Sequence, residues 1–214
     1  MPITRRSVFR SSRPYAAALL ALSLATGLAA CSDLLGPGSD GGRPFFYYQD
    51  QKIYLRVDTR TLTAVPEAEG DSATLRAVLR QSGISVDSMR PMHQPGHWLV
   101  HLPSGTSARR AESAARALRF DAGVRFASAV YRQRDGNCPL YMVNRLTVQF
   151  LPGADEAAID QLNAGMGVRN EQVNPWGTRS YEFPRGLVAT PLELAALYHR
   201  HRLVDWAEAD RVDG

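Results

Sequence analysis

Alternating apolar and polar residues predict a series of β-strands along this chain. Apolar side chains occupy every second position at Ile53, Leu55 and Val57, and again from Leu146 to Phe150. This period is typical of strands that bury one face. Similar runs predict further strands near residues 45–48, 84–89, 97–102, 124–131, 168–173, 178–183 and 204–209.

Four segments between these strands have the spacing and the end signals of helices. In the first, Leu75, Val78 and Leu79 follow Asp71-Ser72, and Gly83 provides a C-terminal stop. The others are marked by alanines from residue 108 onwards, by Asp155 ahead of Ile159 and Leu162, and by the capping box Thr190-Pro191-Leu192-Glu193.

The same order of elements occurs twice. Leu102-Pro103-Ser104-Gly105 matches Phe183-Pro184-Arg185-Gly186 after 81 residues, and Phe126-Ala127-Ser128-Ala129 matches Trp206-Ala207-Glu208-Ala209 after 80. Two landmarks at nearly one spacing indicate an internal duplication, with chance agreement of short motifs as the alternative.

Each copy reads β-α-β-β-α-β, the order of the ferredoxin-like split βαβ fold. We therefore predict an α+β protein with two tandem ferredoxin-like units, at residues 45–136 and 140–214. Each unit is expected to have its own four-stranded antiparallel sheet with two helices on one face. The other face of each sheet would stay open for a partner, with Trp206 buried in the second core.

Composition supports a globular protein, with 44% hydrophobic and 21% charged residues. The formal net charge of +4 comes from four arginines within the first 30 residues, where no acidic residue occurs. Outside that segment 21 basic residues balance 21 acidic ones. A neutral body argues against a nucleic-acid partner.

The N-terminus reads as an export signal over residues 1–30, because an arginine-rich stretch precedes an apolar core too short to span a bilayer. Its end, Leu28-Ala29-Ala30-Cys31, resembles the lipobox of bacterial lipoproteins, which implies lipidation of Cys31. Ordinary cleavage beside an incidental cysteine is the alternative. Ser32 permits an outer-membrane destination, and residues 31–44 are predicted to be a flexible tether between the lipid anchor and the body.

The second copy resembles the prodomains of subtilases, in particular those ahead of fervidolysin-type S8 peptidases. Val148-Gln149-Phe150-Leu151-Pro152-Gly153 is similar to their opening V-x-F-x-P-G. Leu203-Val204-Asp205-Trp206-Ala207-Glu208-Ala209-Asp210 is similar to their closing V-x-Y-A-E-P-N, although Ala209-Asp210 replaces the usual Pro-Asn. The resemblance covers about residues 143–212.

The resemblance implies a protein that binds a subtilisin-like protease through its sheet face. Such prodomains lay a C-terminal tail into the active-site cleft of the protease. The corresponding protease-binding tail here consists of Ala207, Glu208, Ala209, Asp210, Arg211, Val212, Asp213 and Gly214.

No catalytic constellation accompanies this resemblance. Gly105-Thr106-Ser107-Ala108 is similar to the segment around a subtilase nucleophile, but the neighbourhoods of the aspartate and the histidine base do not occur. We interpret Thr106 or Ser107 as a helix cap. His93, His97 and His101 are interpreted as surface histidines, since Pro91, Pro95 and Gly96 forbid one metal-binding helix. Neither a metal nor a cofactor is predicted.

The sequence therefore predicts a non-catalytic, exported, lipid-anchored protein, and the resemblance to subtilase prodomains implies that it acts in trans as a protease inhibitor or a folding chaperone. Two alternatives stay open at this point. One is an interaction module of the cell envelope that is unrelated to proteases, and the other is the remnant of a subtilase that lost its catalytic domain. In each case the lipid anchor attaches the protein to a membrane.

Lipidation of Cys31 gives a direct test of the export prediction. The protein should incorporate labelled palmitate and partition into the detergent phase, because acyl chains on the cysteine bury apolar surface in the membrane. Cys31→Ser should abolish both the label and the partitioning. Unchanged fractionation of the Cys31→Ser variant would refute the lipoprotein interpretation.

Overall fold

A computed structural model describes residues 43–68, 72–133 and 138–213. These residues belong to one compact unit, Pro37–Gly214. The predicted signal peptide, Cys31 and most of the predicted tether lie outside the described residues, as does Gly214.

The described residues form nine strands and four helices, so the α+β class is confirmed. Both halves of the chain keep the predicted order of elements, and β1 adds a strand ahead of the first half. The first half comprises β1 (Phe45–Tyr48), β2 (Gln51–Pro66), α1 (Ser72–Gln81), β3 (Ser88–Pro91), β4 (Trp98–His101), α2 (Ala108–Arg119) and β5 (Val124–Gln133). The second half comprises β6 (Pro139–Phe150), α3 (Glu156–Met166), β7 (Arg169–Val173), β8 (Arg179–Glu182), α4 (Pro191–His199) and β9 (Val204–Asp213).

Local capping signals start the helices where the sequence predicts them. The Ser107 hydroxyl accepts a hydrogen bond from the Arg110 amide at the start of α2, and the Asp155 carboxylate accepts one from the Ala158 amide at the start of α3. Thr190 and Glu193 form the reciprocal capping box of α4. Each bond satisfies an amide that has no partner within its helix.

The strands form one continuous sheet, so the prediction of two separate four-stranded sheets is wrong. The order is β3-β4-β2-β5 in the first half and β7-β8-β6-β9 in the second, with antiparallel pairing throughout. The halves join where Tyr131 and Arg132 of β5 pair with Leu140 and Pro139 of β6. Sequence periodicity missed this junction because it indicates which face of a strand is buried and not which strand is its partner.

The long strands β2 and β6 bend at matching places. Pairing shifts register between Val57 and Leu62 on β2, and between Met142 and Leu146 on β6. On the N-terminal side of these irregularities, β1 pairs with β2 and approaches β9. The Arg211 guanidinium there lies 4.8 Å from the centre of the Phe46 ring. β1 therefore contacts strands of both halves.

Two apolar cores fill the space between the sheet and the helices. The first contains Leu62 and Ala64 of β2 with Leu75, Leu79 and Leu118 of the first-half helices. The second core joins residues of both halves, because Val65, Phe126 and Tyr131 pack in the same cluster as Leu146, Tyr181 and Leu194.

The second face of the first-half sheet is covered, which corrects the expectation of an open face on each unit. Thr63 and Ser128 on this face are fully buried. The Thr63 hydroxyl donates a hydrogen bond of 3.1 Å to the Met142 carbonyl of β6. Nearby, the Phe126 ring stacks on Phe183 at 5.9 Å. The second half therefore occupies the surface that a partner of the first half would need.

Arg119 at the end of α2 connects the two halves. Its side chain is 5% exposed and donates hydrogen bonds to the carbonyls of Ala127, Leu187 and Val188, at 3.1, 3.0 and 3.3 Å. In return, the Gly186 amide donates to the Arg119 carbonyl. Burial lowers the pKa of the guanidinium, and the Tyr131 phenol and the carboxylates of Glu193 and Glu112 oppose that shift.

Replacing Arg119 by methionine tests this connection. We expect Arg119→Met to lower the free energy of unfolding by about 3 kcal/mol, because three carbonyls lose a charged donor. Urea denaturation measures the change. Arg116→Met, at an exposed position of the same helix, is the control and should stay near wild type. Equal stability of the two variants would contradict the linking role.

Candidate functional site

The open face of the second-half sheet is the first candidate site. Gln149 of β6 pairs with Trp206 of β9, and Thr147 pairs with Glu208, so these four side chains share one face. Trp206 is 38% exposed, which corrects its predicted place in the core. The neighbours Ala207 and Ala209 are buried, and alternation along β9 therefore turns the indole outward.

A second exposed indole stands close to this face. Trp176 lies in the turn between β7 and β8 and is 87% exposed. The next residue, Gly177, approaches the Gln149 side chain, since a Cβ at this glycine would lie 3.8 Å from Gln149 Nε2. Two exposed tryptophans near one polar strip are unusual on a protein surface, because the exposure of large apolar side chains to water is unfavourable.

The two prodomain-like motifs are neighbours in the sheet. Gln149 and Phe150 of the opening motif pair with Trp206 and Val204 of the closing motif. The opening motif ends in the turn Leu151-Pro152-Gly153, where Gly153 has a φ of 78° and the Ala154 amide donates to the Leu151 carbonyl. A glycine suits this left-handed position because other residues are strained there.

The predicted protease-binding tail is a strand in this structure. Ala207 to Asp213 belong to β9, and the pairing with β6 continues to Leu140 and Asp213. Asp210 also accepts a hydrogen bond of 2.7 Å from the Thr147 hydroxyl, and Arg211 forms an ion pair with Glu208. The described part of the tail is therefore held in the sheet, so its contribution to folding is larger than a free tail would make.

A polar cleft of about 640 Å³ separates the loop before β4 from the second-half sheet. Val65, Gln94 and His97 line it from the first half, together with Arg125 at the start of β5. From the second half come the β6 segment Val143-Asn144-Arg145 and the carboxylates of Glu182, Glu208 and Asp210. Acidic and basic groups are thus both present around this cleft.

His97 is the residue in this cleft that sequence reasoning misplaced. It is 8% exposed rather than on the surface, and its Nδ1 lies 3.0 Å from the Pro95 carbonyl. A carbonyl can only accept, so Nδ1 carries the proton and Nε2 is the bare nitrogen. Nε2 is buried without a hydrogen-bond partner. Burial lowers the His97 pKa, the hydrogen bond to the Pro95 carbonyl opposes that shift, and the charges of Arg125 and Arg145 add to it.

Four further residues carry hydroxyl, imidazole or thiol groups that could take part in chemistry. Ser107 caps α2, and the Thr106 hydroxyl donates to the Pro103 carbonyl at 2.8 Å. His199 ends α4 and stacks on Tyr47 at 4.0 Å. Cys138 is an exposed free thiol.

The described residues offer no group of three or more histidine, cysteine or acidic side chains placed to hold a metal ion. Within the same part of the chain, no helix has the length and apolar character required to cross a membrane.

Comparisons with known proteins show no family for this chain. No family model matches the chain, and neither does any curated protein. Among solved structures, the chain is similar to an acetolactate synthase small subunit from Thermotoga maritima, over 72% of this chain and 95% of that chain. The identity is 13% and the TM-score 0.26, values too low to carry an argument about function.

The buried His97 predicts a specific dependence of stability on pH. Because the folded state lowers the pKa of His97 below the ordinary histidine value of 6.5, the unfolded chain binds the proton more readily. His97 therefore costs no stability well above pH 6.5 and lowers stability as the pH falls below that value. In His97→Asn the amide nitrogen can replace Nδ1 as the donor. The melting temperature of this variant should fall less between pH 8 and pH 5 than that of the wild type.

The control for this comparison is His93→Asn, at an exposed position of the same loop. It should follow the wild-type curve throughout. If the melting temperatures of His97→Asn and wild type change in parallel from pH 8 to pH 5, His97 has the same pKa in the folded and unfolded states. That result would contradict the prediction.

Proposed function

We propose that this protein is an exported lipoprotein that binds a subtilisin-like protease through its second half, as an inhibitor or a folding chaperone, without catalysing a reaction itself. The observation that supports this proposal best is the arrangement of the two prodomain-like motifs. They pair side by side and border an open sheet face that carries a partly exposed tryptophan.

The physical basis of the contact is an aromatic anchor on a rigid sheet. Trp206 projects from β9, whose backbone is held by its pairing with β6. Little backbone entropy is therefore lost when a partner covers the ring. Tryptophan is also enriched, with tyrosine and arginine, among the energetically dominant residues of interfaces. Thr147, Gln149 and Glu208 surround it with polar groups that suit the rim of an interface.

The finer fold interpretation belongs to this proposal. In each half the strand order, β3-β4-β2-β5 or β7-β8-β6-β9, is that of a ferredoxin-like split βαβ unit. We infer two such units fused through the β5–β6 pairing. Only the second has a face left for a protease, since the second half covers the face of the first.

The tail takes a modified role in this proposal. Because Arg211 to Asp213 pair with β6, the segment that enters the protease cleft begins at the end of β9. Insertion of more residues requires the last pairs, such as Leu140 with Asp213, to open. Extended backbone at a sheet end can add hydrogen bonds to a partner strand.

One observation favours a second candidate function. The pairing of β9 with β6 holds the predicted tail in the sheet. This arrangement is expected of a module that binds its partner through the sheet face alone and inserts no tail into a protease. In that case the protein is an interaction module of the cell envelope, and its partner covers Trp206 without being a protease.

Titration against a protease tests the proposal. The protein, purified in mild detergent, is added to the subtilisin-like protease encoded nearest to it, and peptide hydrolysis and refolding of the denatured protease are followed. We expect inhibition or accelerated refolding. Trp206→Ala should weaken the complex about 30-fold or more, the loss of about 2 kcal/mol that defines a dominant interface residue.

Tyr48→Ala is the matched control, since Tyr48 is an exposed aromatic residue at the end of β1. It should leave binding unchanged, and thermal melting should show both variants folded. Absence of inhibition, of accelerated refolding and of any complex would reject the protease and leave the envelope module.

A further inference from the structure

The hairpin formed by β1 and β2 carries an aromatic run that the proposed function does not use. β1 (Phe45–Tyr48) consists of aromatic residues alone. The two-residue turn that follows holds Gln49 and Asp50 at positive φ, as a type I′ turn requires. Phe45 is buried, whereas Tyr48 is 61% exposed. The hairpin therefore presents a tyrosine to solvent beside a polar tip.

Cations lie over the rings of this hairpin. The Arg43 guanidinium is 4.7 Å from the centre of the Tyr54 ring, and the Lys52 ammonium is 4.9 Å from the centre of the Phe45 ring. Because Phe45 pairs with Tyr54, these groups share one face, and alternation along β2 places Arg56 on the same face. One face of the hairpin is therefore both basic and aromatic.

The C-terminal end of α4 continues this basic surface. The His199 ring stacks on Tyr47 with the ring centres 4.0 Å apart, and its Nε2 lies 3.2 Å from the Asp50 carboxylate. The chain then continues through Arg200 and Arg202, which are both exposed. The contacts of His199 therefore bring the cations after α4 next to the tip of the hairpin.

This surface has an excess of positive charge, although the body of the protein is neutral as a whole. We define the basic strip as residues 43–56 together with residues 199–202. Its five permanent cations face one carboxylate, and these are Arg43, Lys52, Arg56, Arg200, Arg202 and Asp50. The bordering charges nearly cancel: Glu112 and Glu193 are matched by Arg116 and Arg119, Asp58 is paired with Arg132, and Asp205 lowers the excess by one.

An excess of charge acts over a distance of about 10 Å. It attracts an oppositely charged surface whether or not each cation also has contacts within the protein. Lys52, which interacts with further groups of the chain, therefore still contributes to the attraction.

The place of the strip in the chain indicates which surface it meets. Cys31, the proposed lipidation site, lies 12 residues before Arg43. A fully extended chain of that length spans about 40 Å at most. An acyl chain in the bilayer therefore keeps the start of the strip within reach of the lipid headgroups.

We propose that the basic strip docks on the surface of an anionic lipid bilayer. Its cations attract the lipid phosphates, and Tyr48 enters the interfacial region, which favours the amphipathic ring of tyrosine. The inference rests on the proposed lipidation of Cys31, because the anchor brings the strip to the membrane. A lipid chain and a basic surface together hold a protein more firmly than one of them alone. Docking fixes the orientation of the body on the membrane.

Nuclear magnetic resonance on the lipidated protein in nanodiscs tests the docking. Discs of phosphatidylcholine alone are compared with discs that contain about 30% phosphatidylglycerol, each with a trace of a lipid that carries a nitroxide on its headgroup. We expect the amide signals of Tyr48, Lys52 and Arg202 to broaden in the anionic discs and much less in the neutral ones. Salt at about 500 mM should reverse the broadening, because it screens the attraction. The amide of Val78 in α1 is the internal reference.

A matched pair of charge variants separates the strip from general attraction by the whole body. Arg200→Gln combined with Arg202→Gln should lower the ratio of docked to undocked protein about 30-fold, the effect of two basic residues at a membrane surface. Arg76→Gln combined with Arg80→Gln removes the same charge from exposed positions of α1 and should leave the ratio unchanged. Thermal melting verifies that both variants fold, and the comparison of the two lipids needs no variant.

Three outcomes would overturn the inference. They are equal broadening in both kinds of disc or none in the anionic discs, an equal loss of docking in both variant pairs, and a dimer in mild detergent whose contact covers Tyr48. The last result would make a second copy of the chain the occupant of the strip.

Failure of the anchor and failure of the strip are distinguishable. If Cys31 takes up no palmitate, the anchor is refuted, but binding of the unanchored protein to anionic discs with broadening of the same amides supports the strip. If Cys31 is labelled and the anionic discs broaden none of these amides, the strip is refuted and the anchor stands.

Discussion

The buried guanidinium of Arg119 is the interaction on which the arrangement of the two halves depends. Three carbonyls receive its hydrogen bonds, one on β5 of the first half and two in the loop before α4 of the second. A charged group at this depth is stable only when its donors are satisfied. The hydrogen bonds of Arg119 therefore hold the loop before α4 against the first half. Phe183, which precedes this loop, packs on Phe126 across the junction.

This junction explains why the two halves differ in what they expose. The second half covers Thr63 and Ser128 on the first sheet, while the equivalent face around Trp206 stays accessible. The same packing creates the polar cleft between the His97 loop and β9. The described residues thus form one body, with an accessible sheet face on the second half and a polar cleft beside it.

Local features were predicted from the sequence, whereas long-range features were not. The caps at Ser107 and Asp155 and the box at Thr190 depend on residues a few positions apart, so the sequence contains all the information. The continuous sheet depends on pairing between Tyr131 and Leu140 at the end of β5, which no periodicity shows. The prediction for Trp206 was wrong because it placed this large hydrophobic side chain in the core. The alternation along β9, with Ala207 and Ala209 buried, indicates that the indole points outward.

The central claim is that both halves unfold as one cooperative unit. Native-state hydrogen exchange tests this claim, because amides that exchange only by global unfolding share one free energy. The account predicts that core amides of the β2–β5 pair and of the β6–β9 pair, such as those of Ala64 and Val148, exchange with the same free energy and respond alike to denaturant. Clearly lower protection and a separate denaturant dependence in one half would contradict it.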